Sequence, residues 1–591
     1  MKKTVLICLR YLSLFLLLIS VSCEKSQPQN NVELVAQLTQ LVEANQRFLQ
    51  LVETANNSSK EFQAQFKKNR LLYKKVEWAV EYFAPDTARF INGPALDELE
   101  VEENKFLPPN GFQVIEELIF PQYLPENRKA LIAELKILNG NLLQLKRQFE
   151  QIPITKEQLF DAHQLNVNRL IALGITGFDS PIAQHSIPEV AATLESFLVL
   201  KQQFDSPTFT ALEKKVRASQ NYCRAHNDFN SFDRAEFILR FVQPIGVLLQ
   251  QLKTEHRIAD VDRNAAVNQS VASFLAANAF NVDAFIPDLQ NKYSEAKAKL
   301  GEALFSDTDL AGSGNRNCAS CHRPERAFTD GLKTNVSLHG KSLPRNTPTL
   351  TYAALQNAQF WDLRQSDLEK QSKDVITNKD EMHGDLAVFS KKVNASKKYA
   401  KLIKAAFPKE EQLDPTKVQM ALASYVRSLT AFNSAFDRYF QGETTAMNAE
   451  ERAGFNVFAG KAKCATCHFI PVFNGTVPPV FAKTEQEVIG TPATADNKQL
   501  SPDLGRYAIH QLPQLRNAFK TPTLRNVAKT APYMHNGVYN SLEQVVDFYN
   551  RGGGVGVGLK VDNQTLPPDA LNLTTQEQKQ LVAFLKTLND Q

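Results

Sequence analysis

The 591-residue sequence is short of cysteine, with seven in all. Cys8 and Cys23 fall in an N-terminal segment, and four others sit in two local clusters. Only Cys223 remains, so no internal disulfide framework can hold the fold, and Cys223 reads as a buried thiol. An excess of one charge is also missing. The 67 Lys and Arg stand against 63 Asp and Glu, a net of +4, which leaves no footprint for a nucleic-acid partner. Beyond the first two dozen residues no apolar run is long enough to cross a bilayer. Histidines outside the clusters are scattered. His163, His185 and His256 have no neighbouring ligand or nucleophile and read as surface or satisfied core residues.

What is present is concentrated in two Cys-x-x-Cys-His pentads, Cys318-Ala319-Ser320-Cys321-His322 and Cys464-Ala465-Thr466-Cys467-His468. This spacing suits covalent c-type haem attachment. Two thiols on one short turn can bond the two vinyl groups of one haem, and the following His then lies under the iron. A zinc site would need four ligands together, whereas each pair here has only its own His close by. A thioredoxin-like pair belongs to a βαβ pattern and needs no His. Two covalent haems are therefore expected.

The N-terminus fits that chemistry. A basic start from Lys2 to Arg10, an apolar run from Leu12 to Val21 and Ser22-Cys23 make a lipoprotein-type signal peptide over residues 1–22. The mature chain is expected in the periplasm or cell envelope, with a lipid anchor at Cys23.

The fold class is mainly α. Residues 23–290 read as a helical bundle, with Leu34, Val35, Leu38, Leu41 and Val42 at helical spacing. Turn signals punctuate it at Asn56 to Ser59, Pro108 to Gly111 and Asn139 to Asn141. Trp78, Tyr82 and Phe83 read as core. A weak repeat follows. Leu300-Gly301-x-x-Leu304-Phe305 precedes the first pentad, and Ala453-Gly454-x-x-Val457-Phe458 precedes the second. Two cytochrome c-like haem domains are expected, at 291–440 and 441–591.

From about residue 295 onward the chain resembles the bacterial dihaem cytochrome c peroxidase/MauG family. The motifs that carry the resemblance are Arg326 to Gly331, Arg345 to Leu350, Phe360-Trp361-Asp362-x-Arg364, Asn378-x-x-Glu381-Met382, Phe519 to Asn526 and Ala531 to Gly537. The resemblance implies a peroxidatic first haem with His322 proximal. It implies that His339 can fill the opposite position at rest, that Glu381 is the distal acid–base group, and that Trp361 stands between the haems. Val375 and Lys379 replace the prolines usual near that glutamate, and Leu363 replaces a glycine.

The second haem is implied to take His468 and a sixth ligand, with Tyr549 favoured over Met534. A thioether raises the reduction potential and suits electron uptake. A phenolate oxygen is harder and suits the storage of oxidising equivalents. The resemblance also implies Ca²⁺ held by Asn346, Thr530 and Pro532, the last two through main-chain oxygens. It implies hydrogen peroxide as substrate and a small redox protein, cytochrome c or cupredoxin, as donor, and it admits a homodimer. Three functions follow: a peroxidase, a MauG-like oxidase acting on a protein or small molecule, and a dihaem electron-transfer module without catalysis. Glu381 and Trp361 speak against the third.

Overall fold

The computed structural model describes residues 31–54, 59–100, 105–410 and 412–591. The signal-like segment, Cys23 and the Asn56–Ser58 turn lie outside the described residues. The chain is mainly helical, with two short antiparallel strand pairs, β1 (Glu98–Glu100) with β2 (Lys105–Leu107) and β3 (Gln486–Glu487) with β4 (Phe519–Lys520). No helix among the described residues is long and apolar enough to cross a membrane.

The N-terminal helices form as their apolar spacing dictates. Helix α1 (Val32–Thr54) buries Leu34, Leu38, Leu41, Phe48 and Val52 against α2 (Ser59–Phe83) and α3 (Arg128–Phe149). The turn expected at Asn139 to Asn141 is absent, because α3 runs straight through it. Leu131, Leu135, Leu138, Leu142 and Leu145 bury one continuous stripe. That burial outweighs the cost of about 1 kcal/mol for one mid-helix glycine. The Pro108 to Gly111 turn is irregular, as expected.

The centre of this region is charged. Arg70, Lys74 and Glu77 lie on one face of α2 and are all buried. Arg70 donates to both Glu189 oxygens at 2.9 and 2.6 Å. Lys74 reaches Glu77 at 2.6 Å and Asp179 at 2.7 Å, and Arg169 at the end of α4 (Lys156–Arg169) grips both Asp179 oxygens at 2.7 and 2.9 Å. Glu189 belongs to α5 (Ser186–Glu195). Burial alone would raise the Asp179 carboxyl, but Arg169 and Lys74 hold it well below the usual range. His163 is a satisfied core residue, bonded to Leu159 O and Ser196 O and packed on Trp78. Cys223 is buried, which pushes its thiol up to about 12.

In the second half, α6 (Glu295–Phe305) crosses α7 (Pro415–Ser428), and α8 (Ala449–Phe458) crosses α10 (Thr575–Lys586), with α9 (Leu542–Asn550) packed on α10. Both crossings occur at the glycine of the sequence repeat. A Cβ on Gly301 would lie 1.9 Å from Ala421 O, and one on Gly454 would lie 1.9 Å from Gln580 O. The glycines let the backbones touch.

The cores divide unevenly. Leu300, Phe305, Ile376, Phe389 and Val418 belong to a core confined to residues 300–422. Residues 436–588 instead share one core with the N-terminal helices. Phe274 and Phe280 pack edge-on to Phe481, and Phe280 stacks on Phe432 at 5.1 Å.

Gly301→Ala is expected to lower stability by about 1–3 kcal/mol through overpacking. Gly140→Ala, at an exposed site where a Cβ meets nothing within 4 Å, is expected to raise it by about 1 kcal/mol. Denaturant titrations of the two variants check both signs.

Candidate active site

Each pentad begins as a 3-10 turn, Cys318–Ser320 or Cys464–Thr466. The first is fixed by a capping box, in which Asn317 Oδ1 accepts from Ser320 N at 2.9 Å and Ser320 Oγ accepts from Asn317 N at 3.1 Å. In the second, Thr466 Oγ1 donates to Lys463 O at 2.7 Å. The turn brings both thiols of a pentad to one side. Such a pair, followed by a histidine, fits a covalently bound haem.

The histidines are clamped. His322 Nδ1 bonds to Phe328 O at 2.9 Å, and His468 Nδ1 bonds to Phe473 O at 3.2 Å and Pro522 O at 3.1 Å. A carbonyl can only accept, so Nδ1 carries the proton and Nε2 keeps its lone pair. Burial favours the neutral ring, lowering His322 below its ordinary range and His468 to about 4. Phe328 and Phe473 both adopt left-handed backbone, at φ 61° and 55°, which turns their carbonyls toward the rings. A neutral imidazole with a free Nε2 is what an axial iron ligand requires.

The His322 side opens into a cavity of about 1080 Å³. Cys318, Cys321 and His322 line it together with Trp361, Glu381 and Met382. Its wall is mostly apolar, with Phe305, Leu368, Ile376 and Leu422 contributing. Both size and lining fit a haem. Glu381 is partly buried, and its Oε1 accepts from Asn378 Nδ2 at 2.7 Å. Burial raises its carboxyl above the usual range, opposed by Arg364 and the Asn378 amide. Trp361 donates from Nε1 to Asn346 O at 2.9 Å. His339 does not line the cavity. It is exposed, with Nε2 3.9 Å from Asp380 Oδ1, one residue before Glu381.

Around the second pentad, Tyr549 projects from α9. Its phenol is raised by burial first, then by Cys467, Cys464 and Glu487. Met534 packs with Tyr549 on the cluster of Val538, Tyr539 and Phe548, from a left-handed backbone at φ 71°. Asn346 is buried and spends its amide nitrogen on Leu332 O at 2.9 Å, while its main-chain N donates to His535 O, three residues past Pro532. No cluster of three or more His, Cys, Asp or Glu gathers as a metal site among the described residues. A cation near Asn346, Thr530 and Pro532 would therefore rest on amide and main-chain oxygens.

Three residues at this centre were given no role by the sequence reading. Lys520 is buried, with Nζ 3.0 Å from Gln356 Oε1, and burial lowers it to about 8 despite Asp362. Glu487 is pushed to about 7 by burial and accepts from Thr565 Oγ1 at 2.5 Å beside Cys467. His535 stacks on Phe519 at 3.6 Å, and burial lowers it to about 3.

A repeat places Lys520 and His535. Thr347-Pro348-Thr349-Leu350 recurs as Thr521-Pro522-Thr523-Leu524. Thr349 Oγ1 donates to Ala327 O, and Thr523 Oγ1 donates to Val472 O, each one residue before the carbonyl that holds the histidine. Asn346 N donates to His535 O, and Lys520 N donates to Trp361 O, both at 2.7 Å. Trp361 and His535 thus occupy matching turns, bridged at Gln359–Gln365 and Tyr533–Tyr539. The shared Thr-Pro-Thr-Leu was the available signal.

A family model for the di-haem cytochrome c peroxidase matches residues 295–445. The methylamine utilization protein MauG of Methylorubrum extorquens is 36% identical over 300 residues, covering 50% of this chain and 79% of that protein. The cytochrome-c peroxidase IdrP2 of Denitromonas iodatirespirans is 33% identical over 317 residues, covering 50% of this chain and 83% of that protein. The crystal structure of a MauG-like protein associated with microbial copper homeostasis aligns at 30% identity and a TM-score of 0.46, covering 52% of this chain and 94% of that one.

Proposed function

This chain belongs to the di-haem cytochrome c peroxidase/MauG family and is a peroxidase-type oxidoreductase, and on that premise we propose that it reduces hydrogen peroxide at the first site with electrons relayed to it from the second. The observation that carries this reading is that His322, Glu381 and Trp361 all line one cavity. When bound, the two haems supply the iron at which the O–O bond breaks and a second redox centre to share the electrons.

His322, oriented by Phe328 O, would hold the first haem. Glu381 takes the proton from the inner peroxide oxygen and delivers it to the leaving oxygen, which departs as water. A partly desolvated carboxyl with a raised pKa suits a group that must both accept and return a proton. Trp361 stands between the two centres, its indole fixed by Asn346 O and its carbonyl bound by Lys520 N. His339 would be the residue that occupies the peroxide position at rest and leaves it on activation. A calcium ion on Asn346, Thr530 and Pro532 would stiffen the turn that ties the two halves.

At the second site His468 and Tyr549 would hold the haem, since the buried Tyr549 phenol lies close enough to Cys467 and Cys464 for their charges to raise it. That assignment favours a second reading, in which peroxide-derived oxidising equivalents are passed to a protein side chain or small molecule. Export by the residue 1–22 signal, a lipid at Cys23 and separate haem domains at 291–440 and 441–591 complete the proposal.

Glu381→Gln is expected to slow the reaction with peroxide by about 10²–10⁴-fold, with both haems still attached, as read by stopped-flow absorbance. In the native protein that rate should fall with decreasing pH through a midpoint above the ordinary glutamate value, because only the carboxylate accepts the proton. A flat profile down to the usual glutamate range would refute the role. Tyr549→Phe is expected to change the low-spin EPR signal of the second haem, and Met534→Leu to leave it in place. The reverse pattern would assign Met534.

A further inference from the structure

We infer that Tyr352 is a redox-active tyrosine, which gives up an electron to the centre that peroxide has oxidised while its phenolic proton passes to Asp590. The inference rests on the peroxidase reading above for its oxidant, and on the internal repeat for its geometry.

Tyr352 breaks the repeat. Thr347-Pro348-Thr349-Leu350-Thr351-Tyr352 aligns with Thr521-Pro522-Thr523-Leu524-Arg525-Asn526, so a tyrosine stands where the other half has an asparagine. The backbones match. Tyr352 and Asn526 both adopt left-handed conformation, at φ 60° and 62°, and each opens a 3-10 turn, Ala353–Leu355 or Val527–Lys529. Tyr352 N donates to Leu429 O just past α7, and Asn526 N donates to Leu588 O just past α10. Asparagine takes up left-handed backbone readily, whereas a bulky ring does so at a cost. The turn itself therefore does not call for tyrosine.

The partners of the hydroxyl do. The ring is 0% exposed. Its hydroxyl donates to Asp590 Oδ1 at 2.7 Å and accepts from Phe432 N at 2.9 Å. Asn526, the counterpart residue, holds that carboxylate in place. Its Nδ2 donates to Asp590 Oδ2 at 2.8 Å, and its Oδ1 accepts from Asp590 N at 2.9 Å. Burial keeps the phenol protonated, well above its ordinary range. A phenol that loses an electron becomes a strong acid, and a carboxylate already bonded to the O–H takes the proton without rearrangement. The Arg525 guanidinium lies 5.2 Å from the ring centroid, but Asp437 neutralises it with both oxygens, at 2.6 and 2.8 Å.

The ring also stands between the two centres. Leu350 lines the first cavity, and at most about 7 Å of backbone separates it from Tyr352. On the other side Tyr352 packs in one cluster with Leu355, Phe432 and Val472, and Val472 precedes the Phe473 whose carbonyl holds His468. One electron leaves Tyr352, its O–H bond breaks, the proton goes to Asp590 Oδ1, and a neutral phenoxyl radical remains. An external one-electron reductant returns the electron, and Asp590 returns the proton. Tyr352 thus supplies one of the two electrons that a peroxide takes when the second centre has none to relay.

The test mixes the full-length diferric protein with hydrogen peroxide and no reductant, freezes it at millisecond intervals and records EPR spectra. The protein is made with ordinary or ring-deuterated tyrosine. A radical signal that narrows on deuteration is expected, and Tyr352→Phe is expected to abolish it while the haem absorbance still responds to peroxide. Asp590→Asn, which keeps the ring, is expected to slow the appearance of the signal by about 10²-fold. A signal indifferent to deuteration, no radical at all, a tyrosine signal that survives Tyr352→Phe, or an unchanged rate in Asp590→Asn would overturn the inference and leave the peroxidase reading standing. Absence of any haem absorbance response in the native protein would overturn both.

Discussion

The arrangement depends on a carbonyl oxygen placed against Nδ1 of each pentad histidine. That bond sets the tautomer, turns Nε2 toward the haem side and fixes the ring plane. In both halves the carbonyl belongs to a phenylalanine in left-handed backbone, Phe328 or Phe473. The second threonine of the Thr-Pro-Thr-Leu segment pins the preceding carbonyl. The strained backbone is therefore held by bonds on both sides, and strain of this kind persists only where the surroundings over-determine it.

The two halves hold each other by exchange. Asn346 from the first half bonds the His535 turn of the second, and Lys520 from the second bonds the Trp361 turn of the first. Trp361 is thus fixed at its indole by its own half and at its carbonyl by the other. Equivalent positions have diverged in chemistry. The turn that carries an indole in one half carries an imidazole in the other, and a buried ammonium stands where its counterpart has an amide. A symmetric scaffold in this way supports two unlike centres.

The pentads, Trp361 and Glu381 were legible in the sequence because their signal lies in short spacing and ordered motifs. The glycine repeat at Gly301 and Gly454 was also visible, although its cause, backbone contact between crossing helices, was not. Asn139 to Asn141 misled because local turn chemistry yields when a leucine stripe buries an entire helix face. Lys520, Glu487 and His535 gave no signal alone. A lysine or glutamate in sequence looks solvated, and only contacts across the two halves bury it. The buried charges of α2 were hidden for the same reason, since Arg70 finds Glu189 more than a hundred positions away. The union of the N-terminal helices with the second haem half could not be read from any local pattern.

That union bears on how the chain is assembled. The core of the first haem half closes within residues 300–422, so its contacts are comparatively near in sequence and its loop-closure cost is modest. The N-terminal helices complete their core only with residues 436–588. Their apolar faces are fully covered only once that later segment packs on them. The middle of the chain can therefore mature first, while residues 34–279 and 436–588 reach their native packing together.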